Sequence, residues 1–327
     1  MSSSTPKPLV SVCVTAYNHA PYIAECLESI LSQRTDFGVE IIIGEDCSRD
    51  STRQICEAYA ERYEERIRLL ESERNVGMRA NYRRVVEAAR GEWIAFCDGD
   101  DYFTDQNKLQ MQVDALRARP DCALCCTRSL RFVEGTERRW QYPAGAMHTQ
   151  MEDLLFSNTV ENCTALASRD LMLKYYREVR PEEHPEWLTD DAPMWIWFSA
   201  QAGVVCLEHQ TAAHRLLLES VSQSQDYRRK ILFCDSLMDI SLWMDRHCGG
   251  SQHASGLLKR RMEVALWVLS REGSVGEYLS RWWHDVRRTP RLIFSLAGYG
   301  LIVKNGLKRA IKNSEFKIQN SKFKIEL

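Results

Sequence analysis

Trp93-Ile94-Ala95-Phe96-Cys97-Asp98-Gly99-Asp100-Asp101 joins a short uncharged run to three carboxylates packed around one glycine. The run is rich in large apolar and aromatic side chains and reads as a buried strand. The carboxylates therefore stand at the strand's C-terminal end, where open α/β sheets bind their ligands. Clustered Asp side chains repel one another and stay ionised together only beside a cation. Their hard oxygens suit Mg²⁺ or Mn²⁺, ions that usually share their remaining positions with phosphate oxygens. Alone, the D-G-D-D stretch reads better as an acidic turn capping the next helix, and the rest of the N-terminal half reverses that preference.

Working outward, strand–helix alternation surrounds this stretch. Residues 9–16 form a buried strand. Pro21 then opens a helix whose Tyr22, Ile23, Cys26, Leu27, Ile30 and Leu31 keep helical spacing. Residues 39–44 form the next strand, ending at residues 45–50 (EDCSRD). Asp50 or Ser51 can cap the helix that follows, which buries Ile55, Cys56, Tyr59 and Tyr63. A short strand at residues 67–70, a helix near 81–90 and the strand at Trp93 continue the series, and Leu109, Val113 and Leu116 mark one face of another helix. Such alternation implies a mainly parallel sheet with helices on both faces. The pattern weakens after Val133, residues 140–225 read as a mixed, loop-rich second half, and spacing turns helical from Asp226.

The 327 residues suffice for one large domain or two with a sizeable core. A formal net charge of −2 offers nucleic acid no general attraction, so no nucleic-acid partner is expected. The twelve cysteines are scattered, several lie in apolar strands, and no secretory signal peptide is read before them. The thiols therefore read as reduced and the protein as cytoplasmic. Cys122, Cys125 and Cys126 lack a second ligand pair at zinc spacing and read as strand packing.

Three loops follow strand ends, at residues 15–19, 45–50 and 98–101, and in a parallel sheet they converge on one edge. Neither G-x-G-x-x-G nor a Walker-type phosphate loop occurs in the chain, so dinucleotide and P-loop readings lack their phosphate cradles. Carboxylates plus a metal are the physical alternative for holding a nucleotide.

Five ordered blocks carry a resemblance: residues 10–19 (VSVCVTAYNH), 44–52 (GEDCSRDST), 74–78 (RNVGM), 91–103 (GEWIAFCDGDDYF) and 108–113 (KLQMQV). In these the chain resembles the family-two, GT-A-type inverting glycosyltransferases that use nucleotide-sugars, and among them bacterial enzymes building surface polysaccharides. The resemblance is good from about Leu9 to Cys126 and thins toward Ser222. It implies a GT-A fold: a mostly parallel central sheet flanked by helices, here with a helical C-terminal extension. Thr15, Ala16 and Tyr17 would line the base pocket, and Asp46 would accept the N–H of a uracil-like base. Glu45, Asn75, Asp98 and Gly99 join the nucleotide-sugar side, with Asp98 near the ribose or sugar, and Asp100 would bind Mg²⁺ or Mn²⁺. For Thr15 and Tyr17, ordinary strand-end packing remains the competing role.

Inverting transfer also needs a general base on the opposite face of the donor sugar. Residues 189–196 (TDDAPMWI) resemble the family's acidic pair before an L-W motif, which puts Asp191 at the base position and Asp190 where the usual Glu stands. Helix capping by Asp190 or Asp191 is the alternative. The family often has Y-R-x-H near the diphosphate; here Arg215 matches the Arg and would offer charge to the phosphates, while Leu217 stands at the His position. His214 is displaced from that position and receives no role.

The expected organisation is a polar tail (residues 1–8), a GT-A domain (9–225, with a nucleotide-binding half 9–130 and an acceptor half 131–225), a helical extension (226–313) and a low-complexity tail (314–327). Between Arg281 and Lys317, nine Lys/Arg face two acids, and the apolar run 292–303 is too short to span a bilayer. Such a segment suits an interfacial helix at the inner face of the cell membrane, or a core helix with a solvated basic face. The expected reaction moves a sugar from a nucleotide-diphospho-sugar, a UDP-sugar in the first instance, to a hydroxyl on a glycan or lipid-linked glycan. A non-catalytic nucleotide-sugar-binding protein and a sugar-phosphate nucleotidyltransferase are the alternatives.

Overall fold

The first 70 residues build three parallel strands because each supplies a run dominated by Val, Ile or Leu and bounded by polar turns. In the computed structural model, which describes residues 7–217 and 226–289, these are β1 (Val10–Ala16), β2 (Val39–Glu45) and β3 (Ile67–Leu70). β1 is buried along its whole length, as strands covered on both faces are. The helices between them are α1 (Ile23–Leu31) and α2 (Thr52–Arg62). α1 turns Ile23, Cys26, Leu27 and Ile30 into the core, each fully buried and each worth roughly 1.5–3 kcal/mol of apolar burial for the larger side chains. Ser51 makes no side-chain cap to α2; Asp50 accepts the Thr52 N–H instead.

α3 (Met78–Ala88) begins three residues before the expected helix and leads to β4 (Trp93–Phe96), which pairs with β1 in parallel. α3 lies close against β2 because residue 44 is glycine. A Cβ there would stand 2.4 Å from Asn81 Oδ1 and 2.6 Å from Val85 Cγ1. Asn81 uses that proximity to donate to the Gly44 carbonyl at 2.7 Å.

Beyond β4 the chain adds β5 (Tyr102–Phe103), α4 (Lys108–Arg117), β6 (Cys122–Val133), β7 (Arg139–Tyr142) and α5 (Met151–Phe156). β8 (Ala165–Ser168), α6 (Arg169–Glu178), α7 (Asp191–Gln201) and β9 (Gly203–Leu216) complete the first unit. The sheet order is β3-β2-β1-β4-β8-β6-β9-β5, with β7 on β6. Sequence alternation predicts a mainly parallel sheet, and that holds for β3-β2-β1-β4; beyond β4 only β6 and β9 pair in parallel. The physical reason lies in the connections: β8 arrives at β4 after a long excursion rather than through a single crossover helix, so its direction is not constrained to match. The result is the mixed sheet of a GT-A fold.

The chain divides into two compact units, residues 1–218 and 219–327. The second unit contributes α8 (Tyr227–Cys248), α9 (Ala254–Glu272) and α10 (Val275–Arg288). Its core is Met262, Leu266, Leu269, Tyr278 and Val286. No described helix is long and apolar enough to cross a membrane. The apolar run 292–303 and the tail 314–327 lie outside the described residues.

Candidate active site

The turn after β4 is tied to the end of β1 and cannot carry a side chain at its centre. Gly99 donates to the Thr15 carbonyl at 2.8 Å, and a Cβ on it would stand 2.8 Å from His19 Nδ1 and 3.0 Å from Ile23 Cδ1. Asp98 is held by two hydroxyls, Thr15 and Tyr82, donating to the same carboxylate oxygen, and Asn162 in turn donates to the Tyr82 oxygen at 2.9 Å. Burial first, then the neighbouring Asp100, raises the Asp98 pKa above the usual carboxylate range, and the two hydroxyls oppose that rise. Asp101 is buried and accepts the Arg215 backbone N–H at 2.9 Å; burial, with Asp100 and Asp98 adding, drives its pKa well up.

Asp100 differs from both neighbours. Its side chain is 20% exposed, and His19 Nε2 lies 4.0 Å from its Oδ1. The other His19 nitrogen is buried without a hydrogen-bond partner. A divalent ion held by one or two carboxylates, water and substrate phosphates fits this donor set, whereas an all-protein cage does not: no cluster of three His, Cys, Asp or Glu suited to an ion occurs among the described residues.

The second loop forms around Asp46. Both its oxygens are used, one by the Val76 N–H at 2.8 Å and one by the Gly77 N–H at 3.0 Å, and Asn75 donates to its backbone carbonyl at 3.1 Å. Gly77 has φ +85°, a left-handed value that lets both N–H groups turn toward one carboxylate. Ala16 is buried and its carbonyl accepts the Asp46 N–H; Tyr17, 36% exposed, is the member of the expected base pocket with surface to offer.

Glu45 and Arg215 depart from their expected roles. Glu45 is fully buried, and its oxygens accept the Cys47 and Ser48 N–H groups and Arg53 Nε, so it organises the loop instead of facing a ligand. Despite burial, these donors lower its pKa. Arg215 is buried, ion-paired to Glu25 and Glu134, packed over the Tyr22 and Phe132 rings, and donates through Nε to the Asp100 carbonyl. Three of its five N–H donors go to the Asp100 carbonyl, Glu134 and Glu25, which ties it to the 100–101 turn.

Helix α7 starts at Asp191. Its Oδ1 accepts the Thr189 hydroxyl and the Ala192 N–H, while Oδ2 receives only a long 3.5 Å contact from Asn158. Burial raises its pKa. The capping alternative fails for Asp190, which makes no side-chain cap. Arg79 on α3 instead donates to Asp190 and to the carbonyls of His184 and Trp187. Burial lifts the Asp190 pKa to about 6, against the pull of Arg79, and its second oxygen is buried without a partner.

Residues given no role by the sequence connect these parts, chiefly His214, Glu161 and Tyr82, with Arg131 supporting Glu161. The β6–β9 register sets His214 opposite Arg131, and both engage Glu161. Glu161 is pulled down to about 2 by these partners despite its burial, and His214 is raised to about 10 by Asp101 and Glu161. His214 also feels Asp191, so it sits electrostatically between the turn and the α7 carboxylate. Tyr82 bridges Asp98 and Asn162. The partners of these residues lie 16 to 80 residues away in the chain, and no local pattern marks them. A cavity of about 590 Å³, lined among others by Gln33, Val39, Glu65 and Arg66, lies at the opposite edge, where the parallel strands begin.

Residues 11–176 match the family described as glycosyl transferase family 2. Among curated proteins, a provisionally assigned teichuronic acid biosynthesis glycosyltransferase, TuaG of Bacillus subtilis, is 38% identical over 131 residues, 40% of this chain and 50% of that protein. The chain spans about a third to a half of the length of the curated relatives it matches first. Among solved structures, Staphylococcus aureus TarS 1–349 in complex with UDP-GlcNAc aligns over 90% of this chain and 88% of its own, at 17% identity and TM-score 0.59. The mannosyltransferase PcManGT of Pyrobaculum calidifontis, in complex with GDP-Man and Mn²⁺, aligns over 92% and 88% at 18% identity and TM-score 0.51. At these identities the two structures share the fold.

Proposed function

Because the chain belongs to glycosyl transferase family 2, we propose that the site around the β4 turn and the start of α7 moves a sugar from a nucleotide-diphospho-sugar to an acceptor hydroxyl with inversion at the anomeric carbon. The observation that carries this is the state of Asp191: one oxygen is pinned by Thr189 and Ala192, the other is nearly free, and burial raises its pKa. A carboxylate so oriented and so raised suits proton abstraction from an alcohol. The acceptor O–H proton goes to Asp191, the new C–O bond forms at the anomeric carbon, and the bond to the diphosphate breaks on the opposite face. Asp191 then returns its proton to water.

Asp100 would hold the Mg²⁺ or Mn²⁺, whose contribution is to neutralise charge on the departing diphosphate. Tyr17 and the loop built on Asp46 and Asn75 would receive the base, and Asp98, fixed by Thr15 and Tyr82, the ribose or sugar. The UDP-GlcNAc of the TarS complex supports a uridine donor, and the GDP-Man and Mn²⁺ of the PcManGT complex support the metal. The TuaG likeness supports an acceptor on a surface glycan or its lipid-linked precursor.

Asp191→Asn tests the reading. It keeps size and most hydrogen bonds but takes no proton, so kcat falls by roughly 10²–10⁴-fold while donor binding persists. The wild-type kcat falls as pH drops through the raised Asp191 pKa, because the base must be ionised to act. Near-normal turnover of the variant, or an NMR-determined product that retains the donor's configuration, refutes it. A non-catalytic nucleotide-sugar binder is the second reading, favoured by Leu217 at the family's His position and by the locked Arg215; it predicts donor binding without turnover. Pyrophosphate release in the same assay would mark a nucleotidyltransferase instead.

A further inference from the structure

Helix α10 has one apolar face in use and a second apolar flank left bare. Tyr278, Trp282 and Val286 pack on Met262, Leu266 and Leu269. Beside them Val275 is 68%, Leu279 52% and Trp283 55% exposed. These three recur every fourth residue and form one stripe along the helix. The stripe runs into Arg287 and Arg288 in the last turn.

Charge becomes one-sided only from the last turn of α10, since the helix itself carries Glu277 and Asp285. Arg281, one of the basic residues expected to face a membrane, is already committed to Asp235 and Asp285. From residue 286 to residue 314, however, the sequence holds seven Lys/Arg (287, 288, 291, 304, 308, 309, 312) and no acid. Three side chains cover far less than the roughly 800 Å² per partner that a stable protein interface buries. An exposed aliphatic and Trp stripe that ends in Arg287 and Arg288, followed by a sequence rich in basic residues, matches the boundary of an anionic bilayer, where indole rings sit at headgroup level and arginines meet lipid phosphates.

We propose that the Val275–Leu279–Trp283 flank of α10 docks this protein on an anionic membrane surface, with Arg287 and Arg288 contacting the lipid headgroups. The docking is peripheral, since no described helix is long and apolar enough to cross a bilayer. It does not depend on the sugar-transfer chemistry.

The test is co-sedimentation of the full chain with vesicles of phosphatidylglycerol mixed with phosphatidylcholine, against phosphatidylcholine alone. Wild type binds the anionic vesicles, and binding falls as salt rises. Leu279→Ser with Trp283→Ser lowers the partition coefficient at least about tenfold, and Arg287→Gln with Arg288→Gln lowers it by roughly fivefold per charge. Circular dichroism checks that the helices persist; should the serine pair disturb them, the glutamine pair on the same helix decides. Equal binding of wild type to neutral vesicles, or unchanged binding of the glutamine pair, overturns the proposal. So does light scattering that shows a wild-type dimer turned monomeric by the serine pair, which would assign the flank to a second copy.

Discussion

Arg79→Met removes a guanidinium while keeping much of its apolar stem, and its consequences can be worked from the contacts. The side chain loses its ion pair with Asp190 and its hydrogen bonds to the His184 and Trp187 carbonyls. Arg79 is about one-fifth exposed and Asp190 is buried, so solvent screens the pair only weakly. Breaking a buried pair by removing one partner costs about 3–5 kcal/mol, because the remaining charge stays in a poorly solvated place. Asp190 has an escape, however. Its pKa is already about 6 with the arginine present, and without it the carboxyl climbs further and binds a proton.

The cost of the substitution is therefore pH-dependent, with a definite sign. Below about pH 5, Asp190 is protonated in both proteins, the ion pair is absent from both, and only the carbonyl hydrogen bonds are lost, at ~1 kcal/mol each. At pH 8 the wild type keeps the pair and the variant must either bury a bare carboxylate or take up a proton, so the deficit grows by roughly 1–3 kcal/mol. For the wild type, a folded pKa raised to about 6 means that stability contributed by Asp190 is fully present below the unfolded value near 4 and lost as pH rises through 6. Urea denaturation at pH 5 and pH 8, followed by tryptophan fluorescence with Trp187 and Trp195 close by, measures both. Arg79→Met combined with Asp190→Asn should recover most of the pH 8 loss. Equal deficits at both pH values, or strictly additive single substitutions, would refute the ion-pair account.

Three other outcomes follow from the site. Asp100→Ala should abolish Mn²⁺-dependent stabilisation by nucleoside diphosphate in a thermal shift assay while leaving the apo Tm nearly unchanged, because its side chain makes no short contact in the turn. Gly99→Ala puts a methyl 2.8 Å from His19 Nδ1 and should cost about 1–3 kcal/mol in denaturation together with weaker metal and donor binding by calorimetry. Asp46→Ala orphans the Val76 and Gly77 N–H groups, so donor affinity should fall and residues 74–78 should exchange amide hydrogens faster; unchanged affinity would take Asp46 out of the nucleotide pocket.

How much of this was legible beforehand follows the range of the interactions. Composition of the strands at β1, β2 and β4, the helical spacing of Ile23, Cys26, Leu27 and Ile30, and the ordered blocks ending in Asp98-Gly99-Asp100 were enough to identify the family and the GT-A fold, because those signals are local: period, turn residues and motif spacing. Tertiary structure alone decided which acids are consumed and which are presented. Glu45 and Asp46 are neighbours in sequence, yet one is sealed by Arg53 and its own loop and the other gathers the Val76–Gly77 turn. Arg215 reads as a phosphate ligand until Glu25 and Glu134, some 190 and 81 residues away, are seen to pair with it. His214, which no motif marked, has its pKa raised to about 10 against its burial because the β6–β9 register delivers it to the acids Asp101 and Glu161. A residue's type and local pattern set what it can do; burial and partners brought in from distant segments set its charge and reach, and those exist only once the chain has folded.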